Sequence, residues 1–80
     1  MAEAYVMITS EVGEVRTVYS ELEQNEEING SIKQTNIVTG PFDIVALAQT
    51  EDLTSLTNNV VESIRDLDGV IDTNTVVVVE

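Results

Sequence analysis

The chain has no cysteine, no histidine and no tryptophan, and its 80 residues include one proline, four glycines and three basic side chains. Without cysteine there is neither a disulfide framework nor a thiolate metal site, and without histidine the commonest general base and zinc ligand is missing. The usual staples of a very small protein are therefore absent, which leaves oligomerisation as the expected substitute. No run approaches the roughly 18 to 20 apolar residues of a membrane span. Met1-Ala2-Glu3 also lacks the basic start of a signal peptide. The expectation is a soluble, cytoplasmic protein with no membrane partner. Arg16, Lys33 and Arg65 stand against fifteen acidic residues, for a net charge of -12. Such a field repels a phosphate backbone, which argues against direct nucleic-acid binding. Two readings of the acidity stay open: adaptation to high salt, where screening relieves self-repulsion, and an ordinary acidic surface.

The apolar content, 42%, suits one small core and hence a single domain over residues 1–80. Val, Ile and Leu recur throughout, so the charge does not signal disorder. Ala4 to Thr9 is a β-branched and aromatic run that reads as a strand and breaks at Ser10-Glu11-Val12-Gly13. From about Glu14 to Asn25, Val15, Val18, Tyr19 and Leu22 trace the i, i+3, i+4, i+7 stripe of an amphipathic helix. Asn25-Glu26-Glu27 and Asn29-Gly30 read as a polar connection. Ile32 to Thr39 alternates imperfectly as a second strand, and Phe42 to Gln49 is a third, joined by a tight turn at Gly40-Pro41. Thr50-Glu51-Asp52, with a capping hydroxyl and two acids, opens a second helix. Its stripe is Leu53, Leu56, Val60, Val61, Ile64 and Leu67, and Asp68-Gly69 closes it. Val70 to Val79 is the last strand. The order is β-α-β-β-α-β, a ferredoxin-like α+β fold with two helices on one face of a four-stranded antiparallel sheet.

In that fold one sheet face is left uncovered, yet the third strand puts Phe42, Ile44, Ala46 and Ala48 on one side and Val45 and Leu47 on the other. Val76 to Val79 is apolar on both sides. The economical cover is a second copy, sheet against sheet, giving a homodimer.

Few residues carry chemistry. Glu26-Glu27 and Asp66-Leu67-Asp68-Gly69 are acidic, but an EF-hand register would put Ile64 and Thr75 at its first and last ligand positions, so no metal is expected. Asn29-Gly30-Ser31 matches a glycosylation triplet and reads as a turn. With Lys33 the only lysine, no nucleophile-and-base constellation is visible, so the chain is not expected to be an enzyme, and no cofactor is implied. Gly13 stands without a glycine-rich loop and reads as plain connection. The Thr39-Gly40-Pro41-Phe42-Asp43 turn differs. An aspartate beside an aromatic ring can take an ammonium, and free backbone N–H groups can take a carboxylate, which together suit a zwitterionic amino acid. The alternative is that Asp43 merely caps the turn by bonding its own backbone.

This turn, the preceding Ile37-Val38, and Asp68-Gly69-Val70-Ile71 followed by Thr73-Asn74-Thr75 and valines resemble the effector-binding domain of Lrp/AsnC regulators, also called RAM. The resemblance covers nearly the whole chain. It implies domains paired through their sheets, dimers associating into octamers or other rings, and amino-acid effectors held between dimers. It further implies that Thr39, Gly40, Phe42 and Asp43 form one side of the ligand pocket and Thr73 and Thr75 the opposing wall. Met1 lies almost directly on the first strand, so the chain is similar to the stand-alone form, without a helix-turn-helix domain. That form would act by binding an effector or by joining a full-length regulator. The connection from Asn25 to Ser31 looks longer than the family's, and Pro41 stiffens the turn. The expected function is an effector-binding and oligomerisation module in transcriptional regulation. Its rivals are a structural adaptor without ligand, an ACT-like sensor using the Glu11 to Glu14 turn, and a small dimeric barrel enzyme using Tyr5 and Tyr19.

Overall fold

In a computed structural model of the chain, residues 1–80 are described, apart from the side chain of Glu27, so that half of the Glu26-Glu27 pair lies outside the described residues. Strand β1 (Ala2–Ser10) alternates strictly, burying Ala4, Val6, Ile8 and Ser10 and leaving Tyr5, Met7 and Thr9 on the other side. Helix α1 (Val15–Gln24) buries Val18 and Leu22, with Val15 and Tyr19 packed at the margin, as the stripe requires. The connection after it is not simply polar. Glu26–Asn29 forms a short helix, α2, because Ile28 is fully buried and draws that turn into the core. Asn29 Nδ2 donates to the Glu23 carbonyl at 2.7 Å, tying this turn to the end of α1.

Strands β2 (Ile32–Ile37) and β3 (Ile44–Thr50) pair antiparallel, and Val38 N–H donates to Asp43 O at 2.9 Å to close the loop 39–42 between them. The imperfect alternation of β2 has a physical cause. Ile32 pairs with Ala48 and Ile37 with Ile44, both on the helix side, although five positions separate them. A bulge between Ile32 and Gln34 absorbs the odd residue and restores the phase.

The second helical stretch runs as α3 (Leu53–Ser55), a π-helical segment (Leu56–Val61) and α4 (Glu62–Arg65). Its start is capped by Asp52, whose Oδ1 accepts from Ser55 N–H at 2.7 Å, and this bond holds the Asp52 carboxyl below its ordinary pKa. The Thr50 hydroxyl, expected as the cap, donates instead to the Asp52 carbonyl. Leu56, Val60, Val61 and Ile64 are buried, but Leu53 is 47% exposed, since the helix begins beyond the edge of the core it covers. Gly69, at φ +93°, turns the chain into β4 (Val70–Val77).

The sheet order is β2-β3-β1-β4, all neighbours antiparallel, with the helices on one face. This is the ferredoxin-like βαββαβ arrangement. The core lies between helices and sheet and contains one buried polar residue among those described, Ser10. The uncovered face is less uniformly apolar than the third strand alone suggests. Its register rows are Gln34, Leu47, Tyr5, Val76 and Asn36, Val45, Met7, Asn74, an apolar centre with carboxamides at the edges. No helix among the described residues is long and apolar enough to cross a membrane.

Candidate functional site

The β2–β3 loop sits where three strands end together. Asp43 N–H donates to the Ile8 carbonyl at 2.9 Å, and Asp43 Oδ2 accepts from Ser10 N–H at 2.9 Å and, at a long 3.5 Å, from the Ser10 hydroxyl. The carboxylate thus extends the β1–β3 ladder by one bond beyond the last backbone pair. The side chain of Asp43 bonds across to β1 and not to its own turn, which corrects the self-capping alternative. Its side chain is half-buried and bound through one oxygen at the base of an exposed loop.

Above it, Thr39, Gly40 and Pro41 are exposed and Phe42 is half-buried, with Gly40 at φ +125°. The N–H groups of Thr39, Gly40 and Phe42 donate no hydrogen bond within the described chain. Unpaired backbone N–H groups in a turn form a concavity suited to a carboxylate. Donors and an anion therefore stand side by side on one loop.

Thr73 and Thr75 lie elsewhere. Thr73 pairs with Ile8 and Thr75 with Val6, on the outer strand β4. Thr73 is two strands from Ile44, roughly 10 Å at ordinary strand spacing. Its partner Ile8 is fully buried toward the helices, so Thr73 shares that side of the sheet. Within one chain, the four turn residues come together and the two threonines do not join them. Three surface depressions, lined around Gln49 and Asn59, around Lys33 and Thr35, and around Tyr5 and Leu47, include none of the six.

The rival sites fare differently. In the Glu11 to Glu14 turn, Glu11 N–H donates to the Gly69 carbonyl at 2.8 Å and Glu14 N–H to the Glu11 carbonyl at 3.0 Å, so those two donors are already used. Tyr5 lies on the uncovered face while Tyr19 packs on the core from α1, so they share no cavity. No group of three acidic side chains suited to a metal ion is present among the described residues.

Two features were missed in the sequence. One is Ser10, whose position at the end of a strict alternation marks it as inward-facing. The other is a polar hollow at the far end of the sheet, where Ser55 and Asn59, four apart on a helix, were a signal to read.

Residues 3–80 match the family model described as the Lrp/AsnC ligand binding domain. Among solved structures, TTHA0845 from Thermus thermophilus superposes with a TM-score of 0.84 at 28% identity, covering 100% of this chain and 95% of that one. E. coli AsnC gives 0.77 at 17% identity over 99% of this chain and 51% of that one. The transcriptional regulator NMB0573 from Neisseria meningitidis, in complex with L-Met, gives 0.79 at 16% identity over 99% and 50%. The chain thus spans about half the length of AsnC and NMB0573. No match is found among the curated proteins.

Proposed function

As this chain belongs to the Lrp/AsnC ligand-binding domain family, we propose that it is an amino-acid-responsive oligomerisation module acting in transcriptional regulation. The observation that carries this reading is the loop itself: free N–H groups at Thr39, Gly40 and Phe42 beside the fixed carboxylate of Asp43. The donors would receive the effector's carboxylate, Asp43 its ammonium, and Phe42 would give the side chain an apolar contact. A solved structure of similar fold is described with L-Met, an effector of this chemical class.

Because Thr73 and Thr75 lie two strands from the loop, a second copy would have to supply them, which makes the site a shared one. An effector touching two subunits stabilises the assembly that holds both, by its differential affinity for that assembly. The uncovered sheet face would make the first contact between copies, through Met7, Val45 and Leu47, all half-buried, with Tyr5 and Val76 about half exposed beside them. A Leu47→Lys change places a charge at that centre and should convert the dimer to monomer by sedimentation analysis. A full-length regulator of the family, which carries a domain of the same fold, would be the heterologous partner.

One observation favours the rival reading of an adaptor without ligand: Asp43 already holds Ser10. The two are separated by a thermal-shift screen of the twenty amino acids, in dilute and molar salt, on the parent chain and on Asp43→Asn. Asparagine keeps an oxygen for Ser10 N–H and removes the charge. At a hundredfold excess over Kd, an effector should stabilise by about 2.7 kcal/mol, a rise on the order of 10 °C for a domain this small. The rise should vanish in Asp43→Asn. Absence of any shift, at either salt, would leave the adaptor as the function.

A further inference from the structure

Asn29 is the one asparagine that precedes a glycine; Asn25, Asn36, Asn58, Asn59 and Asn74 all precede residues with a side chain. Glycine gives its own backbone nitrogen no steric cover, so it is the neighbour that best lets that nitrogen reach an asparagine side-chain carbon. Asn29 and Gly30 are both exposed, and Gly30 has an ordinary φ with open space around it.

The Asn29 side chain has a structural task. Its Nδ2 donates at 2.7 Å to the carbonyl of Glu23, in the last turn of α1, where carbonyls have no partner within the helix. That turn contains no basic residue, so a neutral donor meets the negative end of the helix dipole. A carboxylate at the same place could donate nothing, and its charge would oppose both the carbonyl and the dipole. The helix that carries Asn29, α2, is a single turn, too short to persist by itself. It is held by the burial of Ile28, by the bond to Glu23, and by Asn29 N–H donating to the Asn25 carbonyl at 2.8 Å.

We infer that Asn29-Gly30 is a self-modification site, gated by the opening of α2, whose product unties α2 from α1. A helical backbone turns the Gly30 nitrogen away from the Asn29 side-chain carbon, so reaction waits for the turn to fray. The freed nitrogen then gives its proton to a solvent base and attacks Asn29 Cγ. A bond forms between Cγ and that nitrogen, the bond from Cγ to Nδ2 breaks, and ammonia leaves behind a cyclic imide. Water adds to either imide carbonyl and opens the ring, giving an aspartate or its β-linked isomer. Water is the only co-reactant, and nothing is oxidised or reduced. In both products the donor to Glu23 has become an anion, on a chain already at -12. In the β-linked product the backbone also gains one carbon where α2 leads into β2.

The test incubates the purified full chain at mildly alkaline pH and follows peptides covering all six asparagines by mass spectrometry, which reads the one-unit mass gain from amide to acid. Asn29 should convert fastest, and faster still in urea below the unfolding midpoint, where local structure opens before the whole. Gly30→Ala, which has space for its methyl group, should slow the conversion about tenfold. Asn29→Asp, the unrearranged product, should lower the urea midpoint by about 1 M. Asn29→Ala, which removes the donor without adding charge, should fall between Asn29→Asp and the parent. The inference is overturned if Asn29 converts no faster than the other asparagines, or if urea or Gly30→Ala leaves its rate unchanged. It is equally overturned if Asn29→Asp unfolds at the parent midpoint or no lower than Asn29→Ala.

Discussion

Replacing glycines one at a time separates backbone strain from crowding in this fold. Gly30 has an ordinary φ and open space where a Cβ would go. Gly40 has open space too, but φ +125°. Gly69 combines φ +93° with a Cβ position 3.1 Å from both Glu14 Cβ and Val18 Cγ2. Gly30→Ala should therefore be neutral or stabilise by up to about 1 kcal/mol, through the unfolded chain. Gly40→Ala meets backbone strain alone, about 1 to 3 kcal/mol. Gly69→Ala adds overpacking of a further ~1 to 3 kcal/mol, because the side chain it meets, Val18, is fully buried. A domain of this size has roughly 4 to 12 kcal/mol in all. In urea, with m near 1 to 1.5 kcal/mol/M, a loss of about 3 kcal/mol lowers the midpoint by about 2 to 3 M. The assay is urea unfolding at one fixed protein concentration, so that any self-association contributes equally. Should Gly69→Ala leave too little folded protein, the cycle with Val18→Ala decides. Removing the Cγ2 that Gly69→Ala collides with should make the double variant more stable than the sum of its parts. A Gly69→Ala midpoint no lower than that of Gly40→Ala, together with additive behaviour in the cycle, would refute the crowding argument.

Other outcomes follow from packing and charge. Leu56→Ala should cost about 2 to 5 kcal/mol and Leu53→Ala well under 1, because Leu56 is sealed in the core and Leu53 is 47% exposed; equal losses in urea unfolding would contradict the helix placement. Asp52 has a folded-state pKa below its ordinary 3.8. Its capping contribution is therefore present at neutral pH and lost as pH falls below about 3.8 through the folded value. The stability gap between the parent and Asp52→Ala should be constant near neutrality and close in acid. With net charge -12, the melting temperature should climb between dilute buffer and 1 M sodium chloride, as the screening length drops to about 3 Å. A flat response would show that the acidic surface is not self-repulsive enough to matter.

Much of the fold was legible because burial imposes a period. Val15, Val18, Tyr19 and Leu22 permit one helical face, and the alternation of β1 and β3 permits one inward side. Those local patterns, with turn residues between them, lead to βαββαβ without reference to any contact. The family resemblance rested on the Thr39 to Asp43 turn and the Thr73-Asn74-Thr75 strand, and the family match over residues 3–80 agrees with it. The single apolar residue Ile28 shows where periodicity fails. One buried position has no period, so nothing local distinguished a short helix from a polar connection.

The sequence by itself determined the βαββαβ order, the inward faces of β1, β3 and the two main helices, and the charge, since each depends on neighbours along the chain. Tertiary structure decided what depends on register between distant segments. The partner of Asp43 is Ser10, 33 residues away, because β1 and β3 happen to end at the same level. The bulge in β2 sets Ile32 opposite Ala48 while Ile37 stays opposite Ile44, a register that only the pairing with β3 reveals. The widened turn at Leu56–Val61 is likewise signalled by no spacing of apolar residues. Local sequence sets periodicity, whereas pairing energies between remote strands and helices set which atoms finally meet.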